Sequence, residues 1–153
     1  MSKLVGQIIR YGLIGALATA INLAVAVVLD AYVWPCLNAS DFAVRYLGLP
    51  SAVIDAATRA RYAVYGNLAG FFIANVVCWL LNRKFVFVPG RHGWMVEYLL
   101  FLAGSGLAIV VGNAVIYLVI ALAGVETTYA LAINVAVSVA VNFIVRKFIV
   151  FKE

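Results

Sequence analysis

Two short clusters hold the side chains best suited to chemistry. Arg83-Lys84 follows Asn82 and precedes Phe85 and Phe87, while Arg146-Lys147 follows Asn142 at a distance of four and precedes Phe148 and Phe151. A guanidinium fork grips two phosphate oxygens at once, and a nearby ammonium adds undirected charge. Such a cluster either captures a specific phosphate or sits among lipid headgroups and sets topology. Seven asparagines accompany them: Asn22, Asn67, Asn75, Asn82, Asn113, Asn134 and Asn142 lie in or beside apolar runs. An amide donates and accepts, so a set of them can line a path for hydroxyl-bearing cargo. Alternatively, each ties one helix to another at about 0.6–2 kcal/mol per bond. Catalysis is not expected. No nucleophile–base or metal constellation is present, no nucleotide-binding loop occurs, and His92 stands beside Gly93 in a turn. Cys36 and Cys78 make no disulfide framework. No cofactor and no metal are expected.

These residues must be positioned by helices in a bilayer. The 153 residues are 67% hydrophobic and 11% charged, with a mean hydropathy of +1.10. Soluble domains sit near half apolar and a quarter charged. Four apolar runs, about 11–29, 62–81, 98–123 and 128–145, approach or exceed the length needed to cross about 30 Å of hydrocarbon, and none contains Asp or Glu. The net charge of +5 does not indicate nucleic acid, because the basic residues bracket apolar runs and form no solvated face.

The expected architecture is an all-α membrane protein of four transmembrane helices in a single domain, residues 1–153. Lys3, Arg10, Arg83, Lys84, Arg91, Arg146, Lys147 and Lys152 fall on one side, against Arg45, Arg59 and Arg61 on the other. Both termini are therefore expected in the cytoplasm. Asp30, Asp41, Asp55 and Glu126 fall outside, Glu97 and Glu153 inside. The segment 30–61 reads as an outer extension of the second span, with a helix capped by Ser51, or as a lid over an outward cavity.

The two clusters end two similar halves. Gly15 and Asn22 in the first span match Gly106 and Asn113 in the third, and Asn75 in the second span matches Asn134 in the fourth. Each half has two spans, so the copies share one orientation as parallel-repeat helix pairs. Gly12, Gly15, Ala16, Thr19, Asn22 and Ala26 form a small-residue stripe suited to helix packing. Asn67, Asn75 and Asn82 fall on one face of the second span, as do Asn134, Ser138 and Asn142 on the fourth. Asn22 and Asn134 each lie twelve residues from a basic end, about 18 Å of helix, so they can meet near mid-membrane.

Arg10-Tyr11 with Gly12, Gly15 and Asn22, the ending Asn82-Arg83-Lys84-Phe85-Val86-Phe87, and the ending Asn142-Phe143 with Arg146-Lys147-Phe148 and Val150-Phe151 give a familiar order and spacing. Over nearly its whole length the chain resembles the GtrA-like membrane proteins; segment 30–61 departs from that pattern. The resemblance implies a role in cell-surface polysaccharide synthesis, as a flippase moving a polyprenyl-phosphate-linked monosaccharide to the outer leaflet of the bacterial cytoplasmic (inner) membrane. On that reading Arg83, Arg146, Lys84, Lys147 and Arg10 hold the lipid phosphate, and Asn22, Asn75, Asn82, Asn113, Asn134 and Asn142 line the sugar's path. The expected partners are the polyprenyl-phosphate-linked sugar and membrane lipid. The main alternative is a non-transporting scaffold that recruits a membrane glycosyltransferase. A small cation-drug exporter fits less well, since that class depends on a first-span carboxylate. Four short spans enclose little volume, so a homodimer is expected.

Overall fold

The computed structural model describes residues 2–86 and 93–145, and within its helices the side chains of residues 2–5, 7, 8, 100, 139, 140 and 142–145 are left undescribed. Arg91, His92, Arg146 and Lys147 lie outside the described residues. The described chain is helical, in the order α1 (Ser2–Tyr32), α2 (Phe42–Leu47), α3 (Ala56–Phe85), α4 (Trp94–Ala121) and α5 (Thr127–Val145). No strand occurs among the described residues.

Local sequence explains where these helices start and stop. Asp41 caps α2 by accepting from the Ala43 amide, and Gly48 ends it at φ 67°. Asp55 caps α3, its carboxylate accepting from the Thr58 amide at 2.9 Å. This corrects the expected Ser51 cap: the eight residues from Gly48 to Asp55 are not helical. Arg83 and Lys84 fall in the last turn of α3 and Glu97 in the first turn of α4, each on the side that its helix dipole favours. Gly124, at φ 65°, reverses the chain after α4 while the Val125 amide reaches back to Val119 O at 3.1 Å, a Schellman-type closure.

Three helices are long and apolar enough to cross a membrane, at Ile9–Tyr32, Ala56–Phe85 and Trp94–Ala121; within α5 a shorter apolar stretch, Thr127–Ser138, is described. The chain is an integral membrane protein, and large apolar side chains such as Leu13, Leu107 and Val110 point outward as lipid contact requires.

Helix α3 is central. It packs most extensively on α1 and then on α4, and α5 closes against α4. Close approach depends on missing side chains. A Cβ on Gly70 would lie 2.7 Å from Asn22 O, and one on Gly66 or Gly112 would collide with the Asp30 or Asn134 side chain. Earlier in α1, by contrast, a Cβ on Gly12 or Gly15 would meet nothing among the described residues, whereas the Asn22–Ala26 part of the small-residue stripe is closely packed.

The connection between α1 and α3 is more than an extension. Ala31, Leu37 and Ala43 form their own small core there. Thr127 Oγ1 donates to Cys36 O at 2.9 Å, and the amide and hydroxyl of Thr128 both donate to the Asp41 carboxylate. The segment thus clamps the C-terminal end of α1 to the start of α5. Asp30 and Asp41, expected as outer charges, are both fully buried. The first helix continues three residues past the expected boundary at 29 and so carries Asp30 inside.

Candidate functional site

The basic end of the molecule is where α1 begins and α3 ends. Arg10 donates to Phe85 O at 3.4 Å, satisfying a carbonyl that the end of α3 leaves without a helical partner. Arg83 turns toward α4, placing Nη1 3.3 Å from Glu97 Oε2 and its guanidinium 5.6 Å from the centre of the Trp79 ring. Trp79 in turn packs edge-on against Tyr98 at 5.4 Å and near Trp94 at 6.5 Å. Lys84, one residue on and about 100° around the helix, leans outward over the exposed Phe85 ring at 5.3 Å. Three of the five predicted phosphate-binding residues, Arg10, Arg83 and Lys84, therefore gather at one end. Arg83 is held in an ion pair that no local sequence signal announces. That pair is partly solvated, so its net stabilisation is only about 0–1 kcal/mol and the guanidinium remains exchangeable.

Deeper in, the asparagines converge. Asn67 Nδ2 donates to Asn113 Oδ1 at 3.0 Å; Asn67 Oδ1 accepts from Asn134 Nδ2 at 3.2 Å and from Asn22 Nδ2 at 3.3 Å. One amide of α3 thus joins α1, α4 and α5. Asn22 and Asn134 do meet near the middle of the helices, through Asn67. Asn134 lies level with Asn67, not with Asn75, so matching Asn75 to Asn134 misplaces the second half by two turns, about 12 Å. The knot is tightly packed: Asn67 is 0% and Asn134 3% exposed. In this conformation these amides bond one another and leave no passage between them. Asn75 lies two turns nearer the basic end, its Nδ2 3.4 Å from Ser105 Oγ, and Asn82 folds back onto Cys78 O at 2.9 Å. Asn142 lies in α5, but its side chain is undescribed.

Several buried polar atoms have no partner among the described residues. Asn22 Oδ1, Asn75 Oδ1, Trp79 Nε1 and Asn82 Oδ1 belong to this group. All four are on α1 and α3, and they run from the knot to Arg83. A buried polar atom without a partner is expensive in an apolar medium and calls for a physical reason.

Sequence reasoning placed Asn67 on the right face but not in the site, because it sought positions repeated in both halves. The 67, 75, 82 spacing on a single helix was the better signal. Trp79 and Glu97 were also missed. Trp79 stands four residues before Arg83, a helical neighbour readable from sequence, whereas Glu97 reaches Arg83 only through the α3–α4 contact.

Residues 10–151 match the family model described as GtrA/DPMS, transmembrane domain, and the chain belongs to that family. Searches of curated proteins and of solved structures gave no match.

Proposed function

We propose that the chain is a four-span translocase. It moves a polyprenyl-phosphate-linked monosaccharide from the cytoplasmic to the outer leaflet of the bacterial cytoplasmic membrane, in support of cell-surface polysaccharide glycosylation. The observation that carries this reading is the series of unpartnered buried atoms, Asn82 Oδ1, Trp79 Nε1, Asn75 Oδ1 and Asn22 Oδ1, leading inward from Arg83. Sugar hydroxyls supply the donors and acceptors those atoms lack. The basic end, with most of the Lys and Arg, is the cytoplasmic one, which puts both termini inside.

On this reading the lipid phosphate displaces Glu97 from Arg83, exchanging one anion for a better-matched one. Arg10 and Lys84 add charge at the rim, and Trp79 and Tyr98 provide flat apolar surface beside the sugar. Arg146 and Lys147, which end the second half, are proposed to complete the rim. Passage beyond Asn75 then requires the Asn22–Asn67–Asn113–Asn134 knot to open. Trading amide–amide bonds for amide–hydroxyl bonds changes the free energy little, because net hydrogen-bond contributions are about 1 kcal/mol each. The polyprenyl tail stays in lipid, and two copies associate to enlarge the polar route. No covalent chemistry is involved.

Arg83→Gln in proteoliposomes, assayed with a short-chain polyprenyl-phosphate sugar, is expected to lower transport at least tenfold. Unchanged transport at normal expression would remove the phosphate clamp. The closed knot favours a second reading, a scaffold that recruits a glycosyltransferase without transport. It predicts no movement of lipid-linked sugar by the purified wild-type chain and stable co-purification with that enzyme. The small-exporter reading loses its original objection, since α1 does carry the buried Asp30, and it is set aside instead by the family match.

A further inference from the structure

At the opposite end of α3 one largely buried arginine has no counterpart among the described residues. Arg59 is only 8% exposed, yet its guanidinium has no hydrogen-bond, ion-pair or ring partner among the described residues. The other described arginine and lysine side chains each have one: Arg10 with Phe85 O, Arg45 with Tyr46, Arg61 with Thr58, Arg83 with Glu97 and Lys84 with Phe85. The Arg59 nitrogens are not among the buried unpartnered polar atoms, so the guanidinium of this otherwise buried side chain reaches open space and is available to an anion.

Arg59 lines a hollow of about 310 Å³ together with Asn38, Ala39, Ala52, Ile54 and Ala56. The hollow opens at the start of α3, whose first residue is Ala56, so the positive end of a 30-residue helix adds to the arginine. Asp55 caps that helix and is exposed, its carboxylate already accepting from the Thr58 amide. Asn38 Oδ1 accepts from Ser40 at 2.8 Å, which leaves its Nδ2 as the remaining donor. The rest of the lining, Ala39, Ala52, Val53, Ile54 and Ala56, is apolar. A free, fully hydrated anion gains little from such walls, whereas a phosphate carried on a lipid matches both the guanidinium and the alanines.

The depth agrees. Arg59 and Arg83 are 24 residues apart on one helix, about 36 Å, against a hydrocarbon thickness of about 30 Å. One arginine therefore stands at each headgroup level. We propose that the Arg59 hollow is a second phosphate-binding site, for the headgroup phosphate of a lipid in the leaflet opposite the Arg83 rim. Only the label "outer" for that leaflet rests on the proposed translocase topology; phosphate binding itself does not.

The test counts bound lipid by native mass spectrometry, using the full chain purified in a neutral detergent with a short-chain polyprenyl monophosphate added. Wild-type protein is expected to retain two phosphate lipids per chain. Arg59→Gln should weaken retention of one of them by about tenfold or more, Arg59→Lys should recover part of it, and Arg83→Gln should affect only the other. Ala56→Glu guards against a folding artefact, because an acidic residue in the first helical turn favours the helix while repelling phosphate from the hollow. Displacement by phosphatidylglycerol but not by inorganic phosphate identifies a general lipid phosphate. Displacement by polyprenyl monophosphate alone identifies the carrier lipid, and displacement by inorganic phosphate identifies free phosphate as the source, which overturns the lipid assignment. Undiminished retention in both Arg59→Gln and Ala56→Glu, or equal competition by an uncharged polyprenol, overturns the site altogether. Because lipid retention is read without transport, a wild-type chain that binds two lipids but moves none sinks the translocase reading and leaves this one standing.

Discussion

The helix pairs α1/α3 and α4/α5 are joined in the same manner and finished differently. In each, a glycine on one helix admits an asparagine from the other, Gly70 to Asn22 and Gly112 to Asn134. In the α4/α5 pair the described amides, Asn113 and Asn134, are satisfied. Asn113 bonds Asn67 and Ile109 O, while Asn134 bonds Asn67 and Ser138. In the α1/α3 pair, Asn22, Asn75 and Asn82 each keep an oxygen without a donor among the described residues, and Trp79 keeps its N–H without an acceptor there. Among the described residues one pair thus works as a brace and the other retains unfilled hydrogen-bonding capacity. Satisfied polar groups rigidify a core, whereas unsatisfied ones persist where something else completes them.

Removing the shared hub should break the comparison most severely. Asn67→Leu strands Asn22 Nδ2, Asn134 Nδ2 and Asn113 Oδ1 together and should cost about 2–5 kcal/mol, read as unfolding in detergent. A neutral result would mean that the halves are not coupled through this amide.

The two glycine contacts should then separate the pairs. A methyl on Gly70 meets the Asn22 backbone, which cannot give way, and Gly70→Ala should destabilise by about 1–3 kcal/mol. A methyl on Gly112 meets only the Asn134 and Ser138 side chains, so Gly112→Ala should cost less. The reverse order in melting temperature would mean that the α4/α5 pair is the less forgiving one.

A smaller, sharpening effect is expected at the rim. Glu97→Gln releases Arg83 from its ion pair and should tighten retention of a phosphate lipid a few-fold, opposite in sign to Arg83→Gln. Lipid-binding titrations of both variants would check it. Smallest of all, burial and then the charge of Asp30 push the Cys36 thiol up, well above its ordinary range. Cys36 should resist alkylation at neutral pH in the folded protein and react only on unfolding, as mass spectrometry of maleimide-treated samples would report.

The helical class, the approximate membrane segments, the basic ends and the face of α3 that carries Asn67, Asn75 and Asn82 are all legible in the amino-acid sequence. Each of these follows from local composition or from the 100° step of a helix, and neither depends on which helix lies opposite. Cap chemistry is equally local: Asp41, Asp55 and Gly48 mark the ends of α2 and the start of α3 in the sequence, although Ser51 offers similar cap chemistry four residues earlier.

Helix packing alone makes Asn67 the hub, sets Glu97 against Arg83, buries Asp30 and Asp41, and leaves Arg59 without a partner among the described residues. These facts depend on the rotation and depth at which helices cross. That geometry is set by small residues such as Gly66, Gly70 and Gly112, where the side chain that would have kept the helices apart is missing. Helical periodicity fixes where a side chain sits on its own cylinder, but its partner is fixed by packing against another.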